Sequence, residues 1–378
     1  MIRMQRLKGQ KVKLTLVLAA SVVIVALLVF SAFNIDTARS PLTDAIESGE
    51  ATFRAVDRNH ESIVNFAKEH LAEAEDLLKT AQISQEQAKM SLTYARHTDD
   101  EFVLNMAQNY GFLLESSYTM NQGVDNLLEI SDDLDRALNY YSERSYSSAA
   151  DVASVCLQTL EPLIGNFDEK NQSLENINYR YLASGQKDQV KYATIEYKDS
   201  MTIYVQYVQL LKSLKEGAAY KQKTDDINSR FSQIQTDLAE GEFNDARQRL
   251  DELSKQLEAL RDSEFQKAAT LASQLNPSLF SGMAHSTAQD LKNQLKDLKG
   301  IESFQNYLKA VGQYAEASTF LANGELTEAE ETANQGLTML AQNAGQSGQG
   351  SDVNKYSQAL EFALNSLKMQ IKGEPDLS

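Results

Sequence analysis

The chain has 378 residues, of which 42% are apolar and 24% are charged, a composition typical of a folded protein with room for two or three helical subdomains. Its formal net charge is -17, and because residues 1–33 carry +5 with no acidic side chain, the rest of the chain carries -22. A body this acidic repels phosphate backbones, so we expect no nucleic-acid partner and no broad contact with anionic lipid. Pro is scarce and straight-chain residues dominate, which favours an all-α fold.

Residues 14–33 predict a transmembrane helix. They read LTLVLAASVVIVALLVFSAF, without charge, Pro or Gly, and span about 30 Å as a helix, the thickness of a bilayer's hydrocarbon core. Basic residues concentrate on the N-terminal side, so the positive-inside rule predicts a cytoplasmic tail over residues 1–13 and an extracytoplasmic body. The expected location is therefore the cell membrane, as a single-pass protein. The basic residues are Arg3, Arg6, Lys8, Lys11 and Lys13.

Two other interpretations of the N-terminus stay open. In the first, the segment is a cleaved signal peptide, with Val29-Phe30-Ser31 as a passable cleavage site. In the second, Lys8-Gly9-Gln10 before an apolar helix resembles the processing site of type IV pilin-like precursors. That resemblance implies a filament subunit whose mature chain begins at Gln10, although Leu14 stands where such leaders usually have Glu.

The first half of the body, within residues 40–274, is predicted to form helical hairpins. Ser40-Pro41 is a helix-start signal, with a capping Ser and with Pro at the first helical position. A stripe through Ala67, Leu71, Ala74 and Leu78 predicts a helix packed against a neighbour, and Ser84 is predicted to cap the next one. Further helices are predicted over 101–120, 124–143 and 147–164, with breaks at 121–123, Pro162 and Gly165.

A long helix is predicted after Gly185. Its apolar residues recur at helical spacing on two faces, which is typical of a helix at the centre of a bundle. Burial inside that bundle is the expected role of Tyr197, Tyr204 and Tyr207. The alternative is that the three tyrosines line a ligand groove.

The chain from residue 227 onward is predicted to contain two apolar helix stripes, a boundary and a C-terminal helical region. Apolar stripes over 227–238 and 246–260 meet at a corner formed by 238–241, and Asn276-Pro277 and Ser281-Gly282 indicate a boundary over 275–286. C-terminal helical hairpins are predicted over 287–372. Their helices cover 287–299, 301–322, 327–342 and 353–372, with a flexible linker over 343–352 and a tail over 373–378.

One corner pattern recurs three times. Each copy has a large apolar residue three positions before an alanine and a Leu eleven positions after it. This is the pattern of a helical hairpin in which a large side chain fills the corner and a small Ala lets the second helix approach closely. The aligned alanines are Ala149, Ala246 and Ala329, preceded by Tyr146, Phe243 and Leu326 and followed by Leu160, Leu257 and Leu340.

These corners resemble the G-x-[aromatic/Leu]-x-x-A turn of tetratricopeptide repeats. The resemblance covers about 120 residues, with spacings of 97 and 83 residues instead of the 34 of tandem repeats. The Trp-x-x-Leu-Gly-x-x-Tyr part of the first helix is missing. The resemblance implies a solenoid-like surface that binds peptides or proteins, and generic antiparallel hairpins are the alternative.

The sequence offers no catalytic or metal-binding pattern. The four histidines form no His-Glu-x-x-His run, and no phosphate loop, nucleophile elbow or calcium loop is present. Asp57 and His60 share a helix face and are interpreted as a surface pair. Cys156, the single cysteine, is predicted to be a small buried core residue. We therefore expect no enzyme activity, no cofactor and no metal.

The expected function is that of a membrane-anchored, extracytoplasmic helical scaffold. It would bind an unidentified protein partner, or a second copy of itself, through helical faces. A ligand-binding or sensor-type bundle and a pilin-like filament subunit are the alternatives.

Overall fold

The computed structural model describes residues 40–294, 297–344 and 352–373, and these residues form helices joined by short turns, with no strand among them. The all-α prediction is confirmed for this part of the chain. The predicted tail 1–13, the predicted transmembrane helix 14–33 and the last residues, 374–378, lie outside the described residues. Among the helices that are described, none combines the length and the apolar character needed to cross a bilayer.

The helices follow one another with few long connections. Three short 3-10 turns interrupt the order at Glu161–Leu163, Tyr179–Tyr181 and Pro277–Leu279, and a π-helical turn covers Leu260–Phe265. The α-helices are α1 (Pro41–Ala67), α2 (Leu71–Ala95), α3 (Glu101–Glu129), α4 (Ser131–Ser142), α5 (Tyr146–Leu160), α6 (Ile164–Leu174), α7 (Lys187–Glu240), α8 (Phe243–Ala259), α9 (Gln266–Ser273), α10 (Gly282–Asn293), α11 (Asp297–Ala322), α12 (Leu326–Ala344) and α13 (Asp352–Lys372).

Helices α1 and α2 pack through small residues at seven-residue spacing. The Ser48 hydroxyl donates to the backbone carbonyl of Ala88 at 3.0 Å, and the Ser62 hydroxyl donates to that of Ala74. A serine can reach the main chain of a neighbouring helix only when the two axes lie close together, which requires small side chains at the contact. The residues of this seam, all fully buried, are Ala45, Ser48, Thr52, Ala55, Asn59 and Ser62 of α1 and Ala74, Ala81, Ala88 and Ala95 of α2.

Four helical hairpins share the same turn. In each, one residue adopts a left-handed conformation, and the following backbone N–H donates to a carbonyl five residues earlier, the hydrogen bond of a Schellman C-cap. The alanine five residues after the left-handed residue is fully buried in every copy. The left-handed residues are Glu69 (φ 64°), Arg144 (φ 62°), Gly241 (φ 84°) and Gly324 (φ 81°), and the alanines are Ala74, Ala149, Ala246 and Ala329.

The α1–α2 hairpin is the copy that the sequence pattern missed. The predicted continuous stripe from Ala67 to Leu78 is wrong, because Ala67 ends α1 and the turn at Glu69 separates it from Leu71. The corner residues also differ from the prediction: Phe243 packs edge-on against Tyr314, with ring centroids 6.4 Å apart, whereas Leu71 and Leu326 are exposed. The buried alanine is therefore the constant feature of the corner, and the large side chain is not.

Several predicted breaks lie inside helices. Ser84 is buried in the middle of α2 instead of capping a helix, and Gly123 lies within α3. Gly165 belongs to the first turn of α6. At Gly123 packing overrides the weak local signal. An added Cβ there would come within 2.9 Å of the Phe167 ring, so this glycine permits a close approach.

The buried side chains form two clusters joined by α7. The first core contains residues of α1 to α6, the first part of α7 up to Ala218, and α10. The second contains the last part of α7 from Tyr220, together with α8, α11, α12 and α13. The segment predicted as a boundary, 275–286, packs into the first core through Leu275, Phe280 and Ala284. The chain passes between the two cores within α7, within α9 and between α10 and α11.

Candidate functional site

A cluster of ionisable side chains lies where α1 meets α7. Asp57, His60 and Glu61 come from α1, and Tyr192 and Glu196 come from α7. Burial of Glu196, which is only 4% exposed, raises its pKa to about 7, and the charge of Asp57 adds to the shift. Asp57 is also close enough for a polar contact that adds to the shift, whereas the Tyr192 hydroxyl opposes it. Glu196 is therefore a buried carboxyl group that binds a proton far more readily than an exposed one.

His60 is part of this cluster and not the surface pair that the sequence suggested. Its Nδ1 lies 3.0 Å from the Ser200 hydroxyl, 140 residues away, and the ring makes a further hydrogen bond to the backbone of Glu196. Burial lowers the pKa of His60, although Asp199, Asp57 and Glu61 oppose that effect. A neutral imidazole held by two hydrogen bonds is the form that this environment favours.

The side chains of this cluster contact one another and the backbone, and they do not present reactive groups to a substrate. Ser200 is fully buried, so its hydroxyl offers no access to a substrate, and His60 bonds to a backbone group where a catalytic triad would present a carboxylate. No group of three or more acidic, His or Cys side chains suited to a metal ion occurs within the described ranges. The arrangement therefore indicates a buried contact between two helices in which Glu196 favours its protonated form.

The remaining histidines and the cysteine have local roles. Nδ1 of His97 lies 2.8 Å from the carbonyl of Thr93, and Nδ1 of His285 lies 2.8 Å from that of Pro277. The Cys156 side chain is fully buried, which confirms its prediction as a core residue, and burial raises the pKa of its thiol to about 11. A thiol in this environment stays protonated and is a poor nucleophile.

The three tyrosines of α7 are core residues, as predicted from the two-sided pattern. The Tyr197 hydroxyl donates to the carbonyl of Phe167 at 2.8 Å, and the Tyr204 hydroxyl donates to that of Leu160 at the same distance. Tyr207 packs edge-on between Phe66 and Phe280, at centroid distances of 5.2 and 5.1 Å. Their rings and hydroxyls are used in packing, so they do not offer an open groove.

Two surface clefts contain charged side chains. A cleft of about 410 Å³ between α5, α7 and α9 is lined by Lys212, Lys215 and Lys267. Two of these lysines are paired, since Lys212 lies 2.7 Å from Glu161 and Lys267 lies 2.8 Å from Glu216. A second cleft, of about 370 Å³, lies between the α4–α5 corner and α10. The paired charges leave the first cleft without a clear preference for a ligand.

The outer face of α2 carries large apolar side chains. Ile83, Met90 and Tyr94 recur at helical spacing and are 52%, 38% and 53% exposed. Tyr118 of α3 is also exposed and lies near Glu86 of α2, which raises the pKa of Tyr118 together with burial. We call these four apolar side chains the α2 face. Sequence reasoning missed it, and the alanines at 74, 81, 88 and 95 were the signal, because they identify the inner side of the helix.

The shared turn and its buried alanine are features of antiparallel helical hairpins in general and do not distinguish these from tetratricopeptide repeats. Copies at Ala74, Ala149, Ala246 and Ala329 are 75, 97 and 83 residues apart, so they are not tandem repeats of 34 residues. Comparison of the chain with protein-family models, with curated proteins and with solved structures finds no match.

Proposed function

We propose that the chain is a membrane-anchored, extracytoplasmic helical scaffold that binds another protein through the α2 face. The proposal rests on the positions of small and large side chains on α2, which are the reverse of those in an ordinary surface helix. The inner side of α2 buries alanines, whereas Ile83, Met90 and Tyr94 point away from the core. Contiguous large apolar side chains on the surface of a folded protein are typical of interaction sites.

The location is part of the proposal and is supported by the sequence. Residues 14–33 have the length and composition of a membrane span, and the basic residues precede it. This arrangement keeps residues 1–13 in the cytoplasm and the helical body outside.

A non-enzymatic role is supported by the chemistry of the buried groups. The Ser200 hydroxyl is inaccessible, the Cys156 thiol is held protonated, and Glu196 is buried where α7 meets α1. These groups stabilise helix contacts within the part of the chain that the structure describes.

The partner should present an apolar centre with a basic rim. The α2 face is bordered by Glu86, whose charge is only weakly countered by Lys89 at 3.9 Å, and the body as a whole carries -22. Apolar contacts at the centre of an interface supply most of its affinity, whereas complementary charge at the rim guides association.

Photo-crosslinking in intact cells tests this face directly. We expect p-benzoylphenylalanine in place of Tyr94 to give an adduct with another protein, whereas the same probe in place of Tyr192, a tyrosine 61% exposed on α7, gives none. Adding Met90→Asp to the Tyr94 probe chain should reduce the adduct about tenfold, because it places a charge at the centre of the interface.

Other outcomes would overturn the assignment. Adducts of equal yield at both positions would show that the α2 face has no special role. Adducts that contain only a second copy of the chain would replace the scaffold with a homo-oligomer.

A further inference from the structure

One end of the helical body carries its own set of exposed apolar side chains. They are Leu42, Phe102, Leu104 and Tyr179, each between 38% and 42% exposed. We call this set the apolar end. It differs from the α2 face, because its members come from the ends of elements and not from one side of a helix.

Hydrogen bonds and ring contacts place these elements together. The Gln186 side chain, just before α7, donates to the carbonyl of Ile46 in α1 at 3.3 Å. Asn109 of α3 exchanges two hydrogen bonds of 2.9 Å with the backbone of Asn178. The rings of Phe102 and Tyr181 lie 6.0 Å apart. The start of α1, the start of α3 and the segment 178–186 therefore meet at the same end of the body.

The chain before α1 leaves from this same end. Seven residue steps separate Phe33 from Ser40, and a fully extended chain of that length spans at most about 25 Å. Helix α1 has 27 residues and is about 40 Å long, so its far end lies well beyond the reach of that connection. If residues 14–33 span the bilayer, the apolar end is the part of the body held beside it.

We propose that the apolar end rests in the headgroup region of the bilayer that holds residues 14–33. The inference rests on the anchor in the proposed function. A tyrosine favours the membrane interface, which accommodates both its apolar ring and its polar hydroxyl, and Phe and Leu side chains insert at the boundary between headgroups and acyl chains. Because the anchor already confines the body to the surface, a weak contact suffices to keep it docked.

The charge at this end selects zwitterionic lipid. The basic side chains there, Arg96, Arg180, Lys187 and Lys191, are outnumbered by acidic ones, although Lys191 pairs with Asp188 at 3.2 Å. Each unit of net negative charge is repelled by an anionic surface. The acidic residues of the same elements are Asp44, Glu47, Asp99, Asp100, Glu101 and Asp188. A phosphatidylcholine-type surface is therefore the occupant that we assign.

Tryptophan fluorescence can test this contact, since the chain contains no Trp. The full chain with Phe102→Trp would be reconstituted in phosphatidylcholine vesicles that carry a quencher at headgroup depth. We expect blue-shifted emission and a loss of about half the intensity, because the ring lies in the interface. Phe362→Trp, at a residue that is 61% exposed on α13, should stay unquenched. Tyr179→Trp repeats the test without altering the Phe102–Tyr181 contact.

Flotation of the same samples with the vesicles distinguishes a failure of the docking from a failure of the anchor. A chain that floats with the vesicles but shows equal, unquenched emission from all three variants overturns the docking and leaves the anchor intact. A chain that does not float overturns the anchor, and the docking with it. Quenching that appears only when anionic lipid is added would contradict the assignment to zwitterionic lipid.

Discussion

Replacing Glu196 by Gln is expected to stabilise the protein at pH 8.5 by about 3 kcal/mol and to leave its stability at pH 4.5 nearly unchanged. Glutamine resembles the protonated carboxyl group, which is the form that the folded protein favours. The wild-type side chain has a pKa of about 7 when folded, against an ordinary value of 4.5. At high pH the wild-type protein must either keep Glu196 protonated or bury an ionised carboxylate, and each costs free energy of folding. The glutamine variant avoids both costs.

The sign of this effect follows from proton counts. Between pH 4.5 and about 7 the folded state holds a proton on Glu196 that the unfolded state has released, so the free energy of unfolding falls as the pH rises. His60 acts in the opposite sense: its pKa is lowered, so its contribution is lost as the pH falls through its unfolded value. Comparing variant and wild type at each pH isolates Glu196, because both retain His60.

Urea unfolding followed by far-ultraviolet circular dichroism measures the difference. Glu252→Gln, at an exposed position of α8, is the matched control and should change the free energy of unfolding by less than about 0.5 kcal/mol at either pH. An equal effect of Glu196→Gln at both pH values would mean that Glu196 is not protonated in the folded protein.

Replacing Phe167 by Ala should lower the free energy of unfolding by about 3–5 kcal/mol, the usual cost of removing a buried aromatic ring. Phe167 is fully buried, and its ring centroid lies 5.0 Å from that of Tyr204 and 5.8 Å from that of Tyr197. Its backbone carbonyl also accepts the Tyr197 hydroxyl. The cavity left behind cannot close without moving both tyrosines.

Phe362→Ala is the control for this change. It removes the same ring from an exposed position on α13, so we expect a change within about 0.5 kcal/mol. A loss below about 1 kcal/mol for Phe167→Ala would indicate that the tyrosine cluster is loosely packed. That result would favour the ligand-binding bundle over the scaffold, because a pocket needs space that a packed core does not leave.

The turns show which parts of the fold the sequence could reveal. Gly241 and Gly324 mark two corners, because glycine adopts a left-handed conformation without steric cost. Glu69 and Arg144 take the same conformation without that signal. The Arg144 corner was recognisable from its flanking residues, whereas the Glu69 corner was concealed by an apolar stripe that continued across it.

The α1–α2 seam was missed for a different reason. A search for large apolar residues at helical spacing passes over Ser48, Thr52, Asn59 and Ser62, yet these side chains form the contact. Small polar residues are tolerated there because hydrogen bonds satisfy them. Ser48 and Ser62 donate to carbonyls of α2, Thr52 donates to a carbonyl of its own helix, and Asn59 donates to α3. This contact is predicted by small side chains that recur at seven-residue spacing, and not by the recurrence of apolar residues.

The ionisable cluster could be predicted only in part. Asp57 and His60 are three residues apart, so their common helix face was evident from the sequence. Their partners Glu196 and Ser200 lie about 140 residues further along the chain and are brought in by the packing of α7 on α1. Local spacing carries no information about such a contact, and therefore none about the burial that shifts both pKa values.

Cysteine labelling of intact cells tests the proposed anchored, outward-facing topology most directly. The native Cys156 is buried with a raised pKa, so a new cysteine at an exposed position can be labelled selectively. We predict that Ser232→Cys, on the exposed side of α7, reacts with a membrane-impermeant maleimide on intact cells, whereas Gln5→Cys reacts only after permeabilisation. Labelling of Gln5→Cys on intact cells, with Ser232→Cys protected until permeabilisation, would contradict the proposed topology.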